Sequence, residues 1–398
     1  MKLFFYEARK TYIRKYIVIF LLLLTFIDIF KIYIDYRQGD IDPLLMETEE
    51  NQNAVKEIYD NLRSKSEQER AEYINEEEKR LGEIYFKHLN NHKKGEKTYS
   101  GNLYEDYRLL EVYIVKQYRH MQEYAQYSND IESLAQDNVS YYKDVNNASM
   151  VKFNQYIVQQ YKNRAIHNFC RMDTAQGYIE YNFSAFLILI LSLLAFAPVF
   201  GVEYESGMQN IIITTRHMRK NLIMKMLCAI FFCICIVTWF FIVDYFSFRF
   251  ICGVDGLNMP IWSIMEMKKS FLNCSVGYFV FIKYGMELLG FLSIMFMLLF
   301  LSSILRKPVY ITFVFAMIIF LSYLLFGLID SVSPIEKIVS VCNPISLISV
   351  SKLYQKLYYI KSGEGFILAS NLALVANAIM LIILGMAIIL MQRRKSSK

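Results

Sequence analysis

The chain has 398 residues, of which 55% are hydrophobic, with a mean hydropathy of +0.26 and a net charge of +6. Two or three soluble domains would fit that length, but the composition points to a polytopic membrane protein. The positive charge is no sign of nucleic-acid binding: residues 35–182 carry 26 acidic and 19 basic residues, net −7, which leaves +13 beside the apolar stretches, where anionic lipid favours it.

Residues 2–15 alternate bulky apolar and basic side chains at near-helical spacing, with Phe4, Ala8 and Tyr12 on one side. The pattern suits an amphipathic helix over 1–15 at a membrane surface; an unstructured basic leader is the plainer alternative. Six stretches then reach the roughly 20 residues that a hydrocarbon core requires. They are Tyr16–Ile34, Phe183–Val202, Leu222–Phe248, Val276–Leu305, Val309–Ile329 and Ala369–Met391. The first is read as a span rather than a cleavable signal peptide, because Asp28-Ile29-Phe30-Lys31 stands where a small-residue cleavage site would.

Lysines and arginines cluster at 2–15, 216–225, 306–307 and 393–398, all on one side of a six-span arrangement. The positive-inside bias makes that side cytoplasmic, with both termini inside and residues 35–182 outside. The expected fold is therefore all-α: a span at 16–34, an extracellular helical domain at 35–182, five spans over 183–391 and a tail at 392–398. Plasma membrane is the expected location.

Within the insert, Leu103, Tyr107, Leu110, Ile114, Met121, Tyr124 and Ile131 fall near a seven-residue repeat, as in a long hairpin helix. Further helices are expected over Leu44–Asn90, interrupted or ended near Gly82 and the turn at His92–Gly95, and over Val151–Met172, with loops at Asn90–Asn102 and Asp137–Ser149. Seventeen of the 30 tyrosines lie here. Carboxylates beside aromatic rings could hold a cationic amphipathic peptide, although most acidic helix surfaces are merely solvated. The last outer loop, 331–366, is apolar around Asn343-Pro344, which suggests short helices dipping into the membrane or a loop packed on the outer domain.

No catalytic cluster is present. GxxxxGK[ST], HExxH and GxSxG are all missing, and Glu76-Glu77-Glu78 reads as a solvated helix face. The seven cysteines form no metal pattern; Cys252 and Cys274 share one outer loop and leave a disulfide open to geometry. Ionisable groups within spans are costly, which draws attention to Asp28, Lys31, Asp244, Lys283 and Glu287, with Asn371 and Asn377 at similar depth. Two readings stand: a polar vestibule on a translocation path, or local pairs (Asp28 with Lys31, Lys283 with Glu287) while Asp244 snorkels.

The segment after the second span reads EYESGMQNIIITTRHMRKNLIMK from Glu203. Carboxylates near a helix start, a glycine, an apolar Ile211–Ile213 knob and basic residues describe a short rod at the membrane face, placed to pass a push into the flanking spans. The pattern Glu203-x-Glu205-x-Gly207, followed by Ile211, Thr214, Thr215, Arg219 and Lys225, resembles the coupling region of ABC-2-type transporter permeases. The six-span topology, interfacial N-terminus and Asn343-Pro344 loop are similar to that family over nearly the whole chain. The large insert resembles the subgroup of sodium-export and lantibiotic or antimicrobial-peptide immunity permeases. Met208 stands where threonine is usual, and Arg216-His217 replaces a proline-containing turn.

The resemblance implies that this chain is not an enzyme and carries no cofactor of its own. It implies separate ABC ATPase subunits, holding ATP and Mg, docked on a 203–220 coupling helix, and a second permease copy or a related permease. The expected cargo is a peptide or amphipathic compound. Sodium export, or a non-transporting peptide sensor that signals across the membrane, are the alternatives.

Overall fold

A computed structural model describes residues 7, 9–12, 14–86, 98–205, 207, 218–305, 307–331 and 333–396. The chain is an all-α polytopic protein with six helices long and apolar enough to cross a membrane, at Lys15–Arg37, Asp173–Glu203, Lys220–Phe250, Val276–Ile304, Pro308–Asp330 and Ala369–Gln392. Among the described residues, the only strands are a hairpin of β1 (Tyr359–Ser362) and β2 (Gly365–Leu368). Two compact units divide the chain. One comprises Met1–Lys31, Glu180–Ser247 and Val280–Lys398; the other comprises Ile32–Ile179 and Phe248–Phe279.

The membrane unit begins at α1 (Lys15–Arg37). Its second span is broken into α8 (Phe183–Phe196) and α9 (Pro198–Glu205). Pro198 lacks an N–H and crowds the preceding turn, so the helical ladder is interrupted there. Ser302, on the fourth span, fills the gap: its hydroxyl donates to the Ala197 carbonyl at 2.7 Å and accepts from the Phe200 N–H at 3.2 Å. The third span is α10 (Met218–Phe250), the fourth α11 (Val276–Ile304), the fifth α12 (Pro308–Phe326) and the sixth α16 (Ala369–Ser396). In the second and fourth spans 61% and 56% of the apolar window is buried, against 17% in the fifth and sixth, so the former pair forms the packed centre.

Between the fifth and sixth spans lie α13 (Pro334–Val341), α14 (Pro344–Ile348), α15 (Val350–Tyr354) and the hairpin. Asn343 caps α14, accepting from Ile345 N–H at 2.8 Å, while its amide donates to the Ser340 and Ser322 carbonyls. Pro344 at the first helical position suits that start. α14 rests on α11 at Gly290, where a Cβ would lie 3.1 Å from Leu347 Cβ and 3.2 Å from the Pro344 carbonyl oxygen. The expected short helices are present, joined by a hairpin that was not anticipated.

The inserted unit holds α2 (Glu49–Arg63), α3 (Glu67–Phe86), α4 (Leu103–Leu109), α5 (Lys116–Asp144), α6 (Ala148–Tyr161) and α7 (Asp173–Glu180). The first break falls at residues 64–66 rather than near Gly82; the turn expected at 92–95 and most of the loop expected at 90–102 lie outside the described residues. Ser66 and Glu69 make a capping box: Glu69 accepts from the Ser66 N–H at 2.8 Å, and the Ser66 hydroxyl accepts from the Glu69 N–H at 3.4 Å. Gly82 instead lets α3 approach Tyr107. Between α4 and α5 a π-helical stretch, Leu110–Val115, widens the turn. It lets Leu103, Leu109, Leu110, Ile114, Val115 and Tyr118 all bury, whereas Tyr107 and Ile131 of the expected repeat are half-buried.

α5 continues to Asp144, so the loop expected over Asp137–Ser149 shortens to residues 145–147 before α6. α6 stops at Tyr161, well short of Met172, because Asn163 adopts φ +56° and turns Arg164 inward. Glu78 of the acidic run pairs with Arg119 at 2.5 Å, which fits a solvated helix face.

The boundary at 35–182 needs correction, since residues 248–279 complete this unit. Arg164 is the reason. Its guanidinium donates to the Ser270, Phe271 and Leu272 carbonyls at 2.7, 3.0 and 3.3 Å and stacks between Tyr161 and Trp262, 4.5 and 4.4 Å from the ring centroids. His120 Nε2 lies 3.0 Å from the Trp262 carbonyl oxygen. Cys252 and Cys274 are both free thiols, so hydrogen bonds and ring stacking hold this loop without a disulfide.

Burial lowers the His120 imidazole below its ordinary 6.5, an effect that the Trp262 carbonyl partly opposes. The folded unit therefore prefers neutral His120. Its contribution to stability is present above about pH 6.5, the ordinary histidine value, and fades as pH falls through the lowered folded value. Protection of residues 259–275 from hydrogen exchange, taken relative to the intrinsic chemical rate at each pH, should fall on acidification below 6.5. His120→Gln should flatten that dependence.

Candidate functional site

Two polar clusters lie within the membrane unit. The first sits where α9 ends. Glu203 is 7% exposed and Lys225, on α10, is 6% exposed. The Lys225 ammonium donates to Glu203 Oε2, and Lys10 Nζ donates to Oε1 at 3.3 Å. Lys225 also stands 5.5 Å from the Phe200 ring centroid. Beside it Tyr12 is buried, its ring stacked on Phe232 at 4.9 Å and tilted against Phe196 at 5.6 Å. One carboxylate thus binds the N-terminal segment to the second and third spans, in a setting shielded from water.

Gly207 adopts φ +71°, a conformation suited to glycine at a helix exit. Only the backbone is described at Glu205 and Arg219. Ile211, Thr214 and Thr215 lie outside the described residues, as does most of the expected 203–220 coupling helix. At the N-terminus, residues 9–11 are helical, and 1–6, 8 and 13 lie outside the described set. The sequence offers Lys10 only as one of a basic cluster; its pairing with Glu203, 193 residues away, has no local signal.

The second cluster gathers Asp28, Tyr181, Asp244, Lys283 and Glu287. Asp28 is fully buried, and its Oδ1 accepts from the Tyr181 hydroxyl at 2.7 Å. The Asp28 and Asp244 side chains meet within hydrogen-bonding reach, and Ser184 also bonds Asp244. Lys283 donates to the Tyr181 carbonyl at 2.6 Å and pairs with Glu287 at 3.8 Å. The Lys283–Glu287 pair is therefore local, as one reading expected, but Asp28 is engaged across helices by Tyr181 and Asp244. Close by, the Trp239 indole donates to Thr25 at 2.9 Å, and Thr238 and Tyr284 share a 2.7 Å bond.

The remaining path candidates are placed apart by their contacts. Asn377 is buried, donating to the Ala373 carbonyl, and its backbone carbonyl accepts from Ser293. Asn371 is exposed at the start of α16. Tyr181 is the member that sequence reasoning missed, one tyrosine among many.

In the inserted unit, a cleft of about 240 Å³ is lined by Tyr113, Lys116, Gln117, Asp173, Gln176 and Glu266, among others. Its charges are mixed in sign, so it does not itself select a cation. No group of three or more His, Cys, Asp or Glu residues positioned to hold a metal occurs among the described residues. No protein-family model matches this chain, and neither curated proteins nor solved structures yield a match.

Proposed function

We propose that this chain is the permease subunit of an ABC transporter in the plasma membrane, exporting a peptide or amphipathic compound with energy from ATP-hydrolysing partner subunits. The observation that carries this reading is the grip of Lys225 and Lys10 on the buried Glu203 carboxylate. It lies immediately before the segment that resembles a coupling region, and a displacement there is passed to the second span, the third span and the N-terminal segment together. A buried ion pair transmits such a load because separating it would leave charges without water or partner.

On this reading the basic ends of the helices are cytoplasmic and the insert faces outward. Closure of the ATPase partners moves the coupling segment, the spans tilt, and a path opens beside a second permease copy. The chain itself performs no covalent chemistry. Sodium export and peptide sensing without transport are the competing readings.

The test is reconstitution with co-expressed ATPase subunits in lipid vesicles. ATP-dependent movement of a cationic amphipathic peptide, abolished by Glu203→Ala in protein that still inserts, is the expected result. ATP-dependent sodium movement would transfer the cargo assignment to the ion. Peptide-stimulated hydrolysis without movement of either would identify a sensor, and failure of any ATPase to associate would overturn the permease reading.

A further inference from the structure

We propose that Asp28 and Asp244 form a proton-binding site within the spans, holding one proton between their carboxyl groups. The inference stands on the geometry of this cluster and does not depend on the permease reading. Asp28 Oδ1 is occupied by Tyr181, while Asp28 Oδ2 and Asp244 Oδ1 are buried and receive no donor. Two carboxyl groups in side-chain contact are held together only when a proton or another cation lies between them; two bare carboxylates repel.

The surrounding charges favour a proton. Asp28 on α1, Asp244 on α10 and Glu287 on α11 are three carboxyls. Facing them are the Lys283 amine on α11, the Tyr181 hydroxyl and the Ser184 hydroxyl at the start of α8. Three carboxyl groups thus meet one ammonium, that of Lys283, and a proton shared between two of them lowers the excess of negative charge. The Lys283 ammonium already stands beside Asp244 and Glu287, where a metal ion would have to displace it, and no metal-holding group of His, Cys, Asp or Glu occurs among the described residues.

The position gives the proton leverage. The chain passes between its two units four times, after residues 31, 179, 247 and 279. Asp28, Asp244 and Lys283 each lie about one helical turn inside one of those crossings, and Tyr181 lies next to the remaining one, all on the membrane-unit side. Loss of the proton sets two carboxylates against each other where α1 meets α10, so charge here is linked to the spacing of those two helices within the membrane unit.

Infrared spectroscopy of the full-length protein in lipid nanodiscs at neutral pH tests the assignment through the carbonyl stretch of a protonated carboxyl group. Asp28→Asn and Asp244→Asn keep the side-chain shape and can donate to the remaining carboxylate. A band that is present in the parent protein, absent from both variants and retained in Glu287→Gln is the expected result. A band unchanged in Asp28→Asn overturns the proposal. So does a parent spectrum without the band, whether or not sodium then stabilises the protein. Should Asp244→Asn fail to fold, Asp28→Asn compared with Glu287→Gln decides alone.

Discussion

Replacing Glu203 with alanine should cost the membrane unit about 3–5 kcal/mol, the scale expected when one partner of a buried ion pair is removed. Lys225 would remain 6% exposed with its charge unpaired, and Lys10 would lose the contact that holds the N-terminal segment. The Tyr12 ring, packed on Phe196 and Phe232, would still tie that segment to the spans. Thermal unfolding in a mild detergent checks the magnitude. Glu203→Leu combined with Lys225→Met should recover much of the loss, because an apolar pair of similar volume needs no solvation. If the single and double variants unfold together, the ion pair does not hold these elements.

Arg164→Ala should be nearly as severe, at about 3 kcal/mol or more, and its effect should be confined to the inserted unit. Three carbonyls, at Ser270, Phe271 and Leu272, would lose their donor together, and the sandwich of Tyr161 and Trp262 would lose its centre. Arg164→Lys should recover only part, since a single ammonium cannot reproduce the forked donor set or stack on two rings. Limited proteolysis within residues 259–275 checks this: cleavage should accelerate in the alanine variant and to a lesser degree in the lysine variant. Unaltered cleavage in both would show that the loop is secured elsewhere.

The spans were legible because each is a local property. An apolar window of sufficient length announces itself whatever its neighbours, and all six fell where hydropathy put them. The helix break at Ser66 was equally local, written in Ser66-Glu67-Gln68-Glu69, although a glycine such as Gly82 is the more conspicuous breaker in sequence. The closing loop of the insert was a different matter. Residues 248–279 read as a short connection, and their assignment depends on an arginine 106 residues upstream of the first carbonyl it holds.

The same distinction governs the two polar clusters. Asp28, Asp244, Lys283 and Glu287 stood out as charges in apolar surroundings, yet sequence could not say which would meet. Asp28 and Lys31 looked like a pair at helical spacing, whereas Tyr181 and Asp244 are the groups that reach Asp28. Glu203 and Lys225 were singled out through a family resemblance. Their direct contact, and the arrival of Lys10, followed only from packing.

The two-part construction of the insert has a consequence for synthesis on the ribosome. Its first portion is finished at Ile179, but Trp262, Ile264 and Phe271, which it shelters, emerge only after two further apolar helices have been made. At about 5–20 residues per second, those roughly hundred residues take on the order of 5–20 s. Throughout that interval Arg164 and the aromatic rings around it await their cover, a nascent surface that quality-control factors would meet before the domain can close.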